Sequence, residues 1–287
     1  SANSANSANS ANSANSANSA NTANTANTAN TANTANTTGQ TTSTEQTKVP
    51  PTTVPPVPPI PPVPPFLSPP SPPQPPPLKI CIVGGGDGGV LTVLSFFPPS
   101  QISSITLLEI DSTVISISKQ YFPRSLGGRW DDPRVSVVEG DAAVFLQSVP
   151  SGSFDVVVVD SSSISFGPGS TLSSPGFYSS CARALRHGGV FVSQTSSYHH
   201  HLTYLKAVVK ACRGIFGMAE YAHVSVPTFP TGTIGFVIGR KGGGSCKVPK
   251  RILEEEVQRE MEVYDAEFHR GCFVLPRKVK EVIEGKV

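Results

Sequence analysis

Leu78-Lys79-Ile80-Cys81-Ile82-Val83-Gly84-Gly85-Gly86-Asp87-Gly88-Gly89 is the stretch that decides the fold. Its first half is a short apolar, β-branched run, the mark of a parallel strand buried on both faces. Its second half is a string of glycines, where the backbone can turn sharply and approach a ligand closely. An apolar stretch from Val90 to Phe97 follows and reads as a helix. The same alternation recurs downstream. Ser104 to Glu109, Val135 to Val138, Phe154 to Asp160 and Val190 to Ser193 read as strands, with helices over Ser112 to Tyr121 and His199 to Ile215. Strands alternating with helices imply an α/β doubly wound, Rossmann-like sheet. Two further β-like runs, Tyr221–Val226 and Ile234–Ile238, predict an antiparallel hairpin at one edge. Pro249–Glu260 reads as a charged surface helix.

Outward from this core the chain changes texture. Residues 1–77 hold 17 of the 28 prolines and only two charged residues, Glu45 and Lys48. Residues 1–21 are seven copies of Ser-Ala-Asn and residues 22–36 five copies of Thr-Ala-Asn. Such a segment buries too little apolar surface to offset chain entropy, so residues 1–49 are expected to be a disordered tail. Residues 50–77, rich in Pro-Pro pairs, are expected to form an extended polyproline II linker. Residues 78–287 have the size of one domain.

The formal net charge of the chain is +2 and is evenly spread, which gives no electrostatic case for nucleic acid or a membrane surface. No apolar run reaches about 18 residues, so no transmembrane helix is expected, and no apolar signal core lies near Ser1. The five cysteines lack CxxC spacing and read as reduced thiols of a cytoplasmic protein, with no zinc site.

In a doubly wound sheet, ligands sit at the carboxyl ends of the strands. Four acids fall at or just after such ends: Asp87, Glu109, Asp141 and Asp160. The glycine loop Gly84, Gly86 and Gly88 lacks the Gly-Lys-Ser/Thr of a phosphate-binding loop. Asp87 within it would repel a phosphate and suits a cationic ligand. Glu109, roughly twenty residues after the glycines, is placed to accept both hydroxyls of a ribose. Asp141, followed by Ala142, can accept from the exocyclic amine of an adenine, or cap a helix. Together these describe a nucleoside that carries a positive group and no phosphates, as sulfonium compounds of the S-adenosylmethionine type do. Asp160 faces the centre of such a site, where a carboxylate can take a proton from an attacking amine.

Gly84–Gly89, Glu109-Ile110-Asp111, Gly140-Asp141-Ala142, Asp160-Ser161-Ser162 and Pro227-Thr228-Phe229-Pro230 resemble the spermidine synthase family of polyamine aminopropyltransferases. Gly232 to Phe236 and the stretch from His269-Arg270 through Phe273-Val274-Leu275-Pro276 fit it as well. The resemblance implies a class I methyltransferase-like domain. It implies transfer of an aminopropyl group from decarboxylated S-adenosylmethionine, a co-substrate rather than a resident cofactor, to putrescine or a related polyamine. It would put the donor's amine on Asp87, the ribose on Glu109, the adenine on Asp141 and Ala142, and the proton on Asp160. Pro168 would lie on a gate loop near the adenine. Asp160, Ser161, Ser163, Gln194 and Phe229 would form the acceptor side, and a homo- or hetero-oligomer would be the working assembly.

The departures from the family pattern gather on that acceptor side. Ser163 stands where the family has a second Asp, Ser196 where it has a Glu, and Phe229 where it has a Tyr. The family's N-terminal β-sheet domain has no counterpart in residues 1–77. These differences keep two alternatives open: a catalytically impaired paralogue that binds the nucleoside or an active partner subunit, and an N-methyltransferase using S-adenosylmethionine itself. Asp87 favours the donor without a carboxylate over the latter. Among other residues, adjacent histidines His199-His200-His201 diverge on a helix and read as structural, Trp130 and Tyr121 read as packing aromatics, and Glu254–Glu256 as a solvated helix face.

Overall fold

The structure, a computed structural model, describes residues 75–123, 129–161, 168–251 and 253–287. The repeat tail, most of the proline tract and Ser163 lie outside the described residues.

Among the described residues seven strands form one sheet in the order β3-β2-β1-β4-β5-β7-β6. The first five are parallel: β1 (Leu78–Gly84), β2 (Ile102–Glu109), β3 (Val135–Glu139), β4 (Phe154–Asp160) and β5 (Leu185–Thr195). The closing hairpin, β6 (Gly217–Ser225) and β7 (Thr233–Lys241), is antiparallel, with β7 inserted beside β5. Strand order reverses between β2-β1 and β4, which fixes where a ligand crevice opens.

Alternation along the strands divides the apolar residues between two layers. Ile80, Ile82, Ile105 and Leu107 face α1 (Gly89–Ser95) and α2 (Ser112–Tyr121), burying Leu91 and Ile115. Cys81, Val83, Val157, Val159 and Phe191 face the other layer, made of α3 (Ala142–Ser148), α4 (Pro175–Ala184), α5 (Leu202–Phe216) and α8 (Arg277–Ile283). There Phe191 stacks on Phe216 at 4.8 Å between centroids and meets Tyr178 edge-on at 5.5 Å. All five cysteines are free, and burial pushes the Cys81 and Cys212 thiols up to about 12. Such thiols stay protonated and act as small apolar packing groups.

Four readings shift. The helix expected over His199–Ile215 runs from Leu202 to Phe216, so His199, His200 and His201 precede it rather than lie on it. The strand expected over Val190–Ser193 runs from Leu185 to Thr195: Leu185 pairs with Phe154 ahead of a register shift in which residues 186–189 of β5 bulge opposite Asp155, and Arg186 forms an ion pair with Asp155 there. The helix expected over Pro249–Glu260 is confined to α6 (Glu255–Glu260). Val257 is its sole buried residue, so only the turn around it has a packing reason to be helical. A further short helix, α7 (Ala266–Gly271), follows. Trp130 packs against the α1–α2 core with Lys119 4.9 Å above its ring, whereas Tyr121 is 65% exposed and does not pack as expected. Among the described residues no helix is long and apolar enough to cross a membrane.

Arg183, near the end of α4, ties α3 in place. Its guanidinium donates to Val149 O at 2.7 Å and to Leu146 O. These are orphan carbonyls at the carboxyl end of α3. Arg183→Met keeps the aliphatic stem but removes both charge-assisted bonds. The expected loss is about 1.5–3 kcal/mol, read as a lower urea midpoint with an unchanged slope.

Candidate active site

At the carboxyl ends of β1, β2, β3 and β4 the strand-end loops enclose a cavity of about 490 Å³. Its walls are the glycine loop, Glu109, Asp141 with Ala142, and Asp160 with Ser161. The four acids read from the sequence therefore meet in one place, as the switch in strand order requires.

The glycine loop earns its composition from close contacts. Gly84 has φ 77°, and a Cβ there would lie 2.1 Å from Asp160 O. Gly85 N donates to that same carbonyl at 2.8 Å. The end of β1 thus locks onto the end of β4 and holds the Asp160 carboxylate over the loop. Gly86 is held differently: its N–H donates to Glu109 Oε2 at 3.0 Å, and a Cβ would lie 2.7 Å from that oxygen. Glu109 is buried and also accepts from Ile110 N at 2.9 Å and Asp111 N at 3.1 Å, both on Oε1. Three backbone amides therefore fix the Glu109 side chain at the end of β2.

Asp87 Oδ1 accepts from Gly89 N at 2.9 Å, and Gly88, the N-cap of α1, is left-handed with φ 84°. The carboxylate so occupies the amino end of α1, where a phosphate would otherwise be drawn. Asp141 is the N-cap of α3 and accepts from Ala143 N at 2.7 Å. The capping alternative weighed from sequence is real, and Asp141 lines the cavity as well. Burial, then the neighbouring charges of Asp87 and Glu109, raise the Asp160 carboxyl above its ordinary range. Asp87 and Glu109 are close enough to disfavour the ionisation of Asp160.

Pro168 opens a 3-10 turn, Pro168–Ser173, whose Thr171 and Leu172 line the cavity. Gln194 sits on β5, paired with Phe236 of β7, and Phe229 is in the β6–β7 turn, where its N–H donates to Val226 O at 2.9 Å. Neither lines the cavity among the described residues. The sequence reading missed Leu108, Ile110, Val114 and Leu172 as apolar walls, and Asp111 beside Glu109. Asp111 was the legible one, two residues after Glu109. Its hydrogen bond from Thr113 holds its carboxyl below the ordinary value and caps α2. Among the described residues no group of three His, Cys, Asp or Glu side chains converges as metal ligands.

Sheet order and the acidic strand-end crevice define a class I methyltransferase-like α/β protein. The spermine/spermidine synthase domain matches residues 70–248, and the chain belongs to that family. It is 39% identical over 217 residues to spermidine synthase 2 of Datura stramonium, covering 73% of this chain and 67% of the relative. It is 38% identical over 218 residues to spermidine synthase 2 of Arabidopsis thaliana, covering 73% and 63%. The chain thus spans roughly two thirds of the length of these relatives. Among solved structures it is similar to a spermidine synthase in complex with the transition state analogue AdoDATO (TM-score 0.66, 28% identity, 74% of this chain and 71% of that chain). It is also similar to the spermidine synthase of Thermotoga maritima (TM-score 0.64, 27% identity, 74% and 70%).

Proposed function

We propose that the chain transfers the aminopropyl group of decarboxylated S-adenosylmethionine to putrescine, releasing methylthioadenosine. The observation that carries this reading is the convergence of Asp87, Glu109, Asp141 and Asp160 on one cavity of about 490 Å³. That volume suits a nucleoside with a short side chain. Glu109 accepts the ribose hydroxyls, Asp141 and the Ala142 backbone meet the adenine, and Asp87 holds the donor's ammonium. The attacking amine lies beside Asp160. Its nitrogen forms a bond to the carbon next to sulfur as the carbon–sulfur bond breaks. The bonding pair goes to sulfur, which becomes a neutral thioether, and the amine's proton passes to Asp160.

The raised affinity of Asp160 for a proton supports this role, because a base poised above the ordinary carboxylate range accepts a proton more readily. Asp87 supports the choice of donor. The carboxylate of intact S-adenosylmethionine would be repelled by it, and the decarboxylated compound lacks that group. The cytoplasm is the compartment proposed with this chemistry, and residues 78–287 are proposed to act as the catalytic unit.

The test is a product assay on the full chain, offered either donor with putrescine or spermidine and read by mass spectrometry. An aminopropylated amine formed in step with methylthioadenosine is the expected result. A methylated product, or thermal stabilisation by methylthioadenosine with no turnover on any amine, would overturn it.

A further inference from the structure

A second cavity of about 460 Å³ lies far from the strand-end crevice, along the outer edge of β6. In the sheet order β6 is four strands from β1, a separation of about 19 Å at the usual strand spacing. Among the described residues the two cavities share no lining residue.

The floor of this groove is apolar. Tyr221, Phe273 and Ile283 are buried beneath it, and the exposed Val248 and Val274 stand at its sides. The rim is basic: Arg213 at the end of α5, Lys247 in the loop after β7, Arg270 on α7 and Lys280 on α8. Two acids also line it, and both already have partners. Glu220 accepts from Cys246 N at 2.8 Å and from Ser245 Oγ at 3.0 Å, with Lys247 Nζ 3.6 Å away. Glu284 is paired with Lys286 at 2.7 Å, and Lys280 and Lys247 act on the same carboxylate.

The two arginines of the rim are held by backbone carbonyls. Arg213 donates through Nε to Ala219 O at 3.1 Å, and Arg270 through Nη1 to Ala266 O at 3.2 Å. Each thereby orients its guanidinium on a backbone carbonyl and keeps further N–H groups for another partner. Among the described residues neither Arg213, Arg270 nor Lys280 forms an ion pair within salt-bridge distance. The strand edge adds a backbone donor. His223 N donates outward, to Cys272 O at 2.9 Å. Antiparallel alternation then turns the N–H and C=O of Tyr221 outward as well, and no hydrogen bond meets them among the described residues.

Like charges held around an apolar floor repel one another until an anion enters. We propose that this groove binds a small organic polyanion whose charged groups meet Arg213, Arg270 and Lys280 and whose apolar portion lies on Phe273 between Val248 and Val274. Two guanidiniums favour phosphate or carboxylate groups, which accept a fork of N–H donors. The site is independent of the aminopropyl chemistry and does not rest on it.

Calorimetry on the full chain tests this with three probes: ATP, inorganic tripolyphosphate and citrate. ATP offers phosphates and an apolar base, tripolyphosphate phosphates alone, and citrate carboxylates. ATP is expected to bind with one-to-one stoichiometry, and tripolyphosphate more weakly. The pair Arg213→Glu and Lys280→Glu is expected to weaken ATP binding by at least tenfold. Both side chains are exposed, so the unfolding midpoint should hold; Lys280→Gln alone serves if the double variant unfolds, with a smaller loss. Citrate binding in place of ATP, lost in the same variants, would keep the polyanion site and assign its ligand to the carboxylates. Tripolyphosphate binding as tightly as ATP would overturn the role of the apolar floor. Absence of saturable binding by all three, or binding indifferent to the charge reversals, would overturn the site.

Discussion

Asp160→Asn is expected to lower the turnover number by about 10²–10⁴-fold, the usual contribution of a positioned proton acceptor, and to leave donor affinity within a few-fold. The substitution is nearly isosteric. Gly84 and Gly85 grip Asp160 through its backbone carbonyl, which Asn retains. The glycine loop and the Glu109 carboxylate therefore keep their places, and the loss falls on the chemical step. Single-turnover kinetics separates this from a binding defect. Loss of donor affinity with turnover intact would show that Asp160 holds a substrate and takes no proton from it.

The same residue predicts two dependences on pH. The reaction needs Asp160 ionised, so the rate should rise with pH as the carboxyl loses its proton, over a range displaced upward from 3.8, the ordinary aspartate value. The stability effect has the opposite sign. The folded protein holds this proton more tightly than the unfolded chain does, so it binds more protons over the interval above 3.8. Ionised Asp160, crowded by Asp87 and Glu109, thus lowers stability as pH rises through that interval. Asp160→Asn removes the penalty. Its unfolding midpoint should exceed that of the parent at pH 7, and the gap should close below 3.8, where Asp160 is protonated in both states. A variant that is more stable and inactive is what a group placed for chemistry at the expense of folding predicts.

How far the sequence carried depends on how local each signal is. The strand-end acids were legible because one parallel sheet makes them neighbours: once β1, β2, β3 and β4 are recognised, the register brings Asp87, Glu109, Asp141 and Asp160 together. The extent of β7 was less so. Gly235 and Gly239 weaken its strand signal, yet each lies under an aromatic ring. A Cβ at Gly235 would be 2.3 Å from Tyr221 Oη, and one at Gly239 would be 2.8 Å from the Phe216 ring. No local pattern announces that reason, since it belongs to tertiary packing. Helix α4 was announced and passed over: Ser174 caps it, accepting from Phe177 N at 3.2 Å, and Pro175 takes its first turn. The walls Thr171 and Leu172 come from a short 3-10 turn with no periodicity to find. The basic groove on β6 was beyond reach because its cations come from α5, α7, α8 and a loop, elements that meet only in the folded chain.

Glu109→Gln should be a far larger change than its chemistry suggests. In the native site both carboxylate oxygens accept backbone N–H groups, Oε2 from Gly86 and Oε1 from Ile110 and Asp111. A glutamine must aim its NH₂ at one of those donors, so it repels one strand end or rotates away. The ribose then loses two charge-assisted bonds, each worth about 1.5–3 kcal/mol. Affinity for the donor or for methylthioadenosine should fall by about 10²–10⁴-fold, raising KM while leaving turnover at saturation much less affected. Gly86→Ala tests the positioning. Its Cβ would lie 2.7 Å from Oε2 and 2.9 Å from Cγ of Glu109, so the carboxylate must move although the ribose contact itself is untouched. If Gly86 works by seating Glu109, the double variant loses little more than Glu109→Gln alone; fully additive losses would give Gly86 a separate role. Glu109 also helps to raise the Asp160 carboxyl, so removing its charge should move the acidic limb of the rate profile to lower pH. Asp87→Asn should move that limb further, since Asp87 is the stronger of the two charges acting on Asp160. A limb that stays put in both variants would mean that the base titrating in the profile is a group other than Asp160.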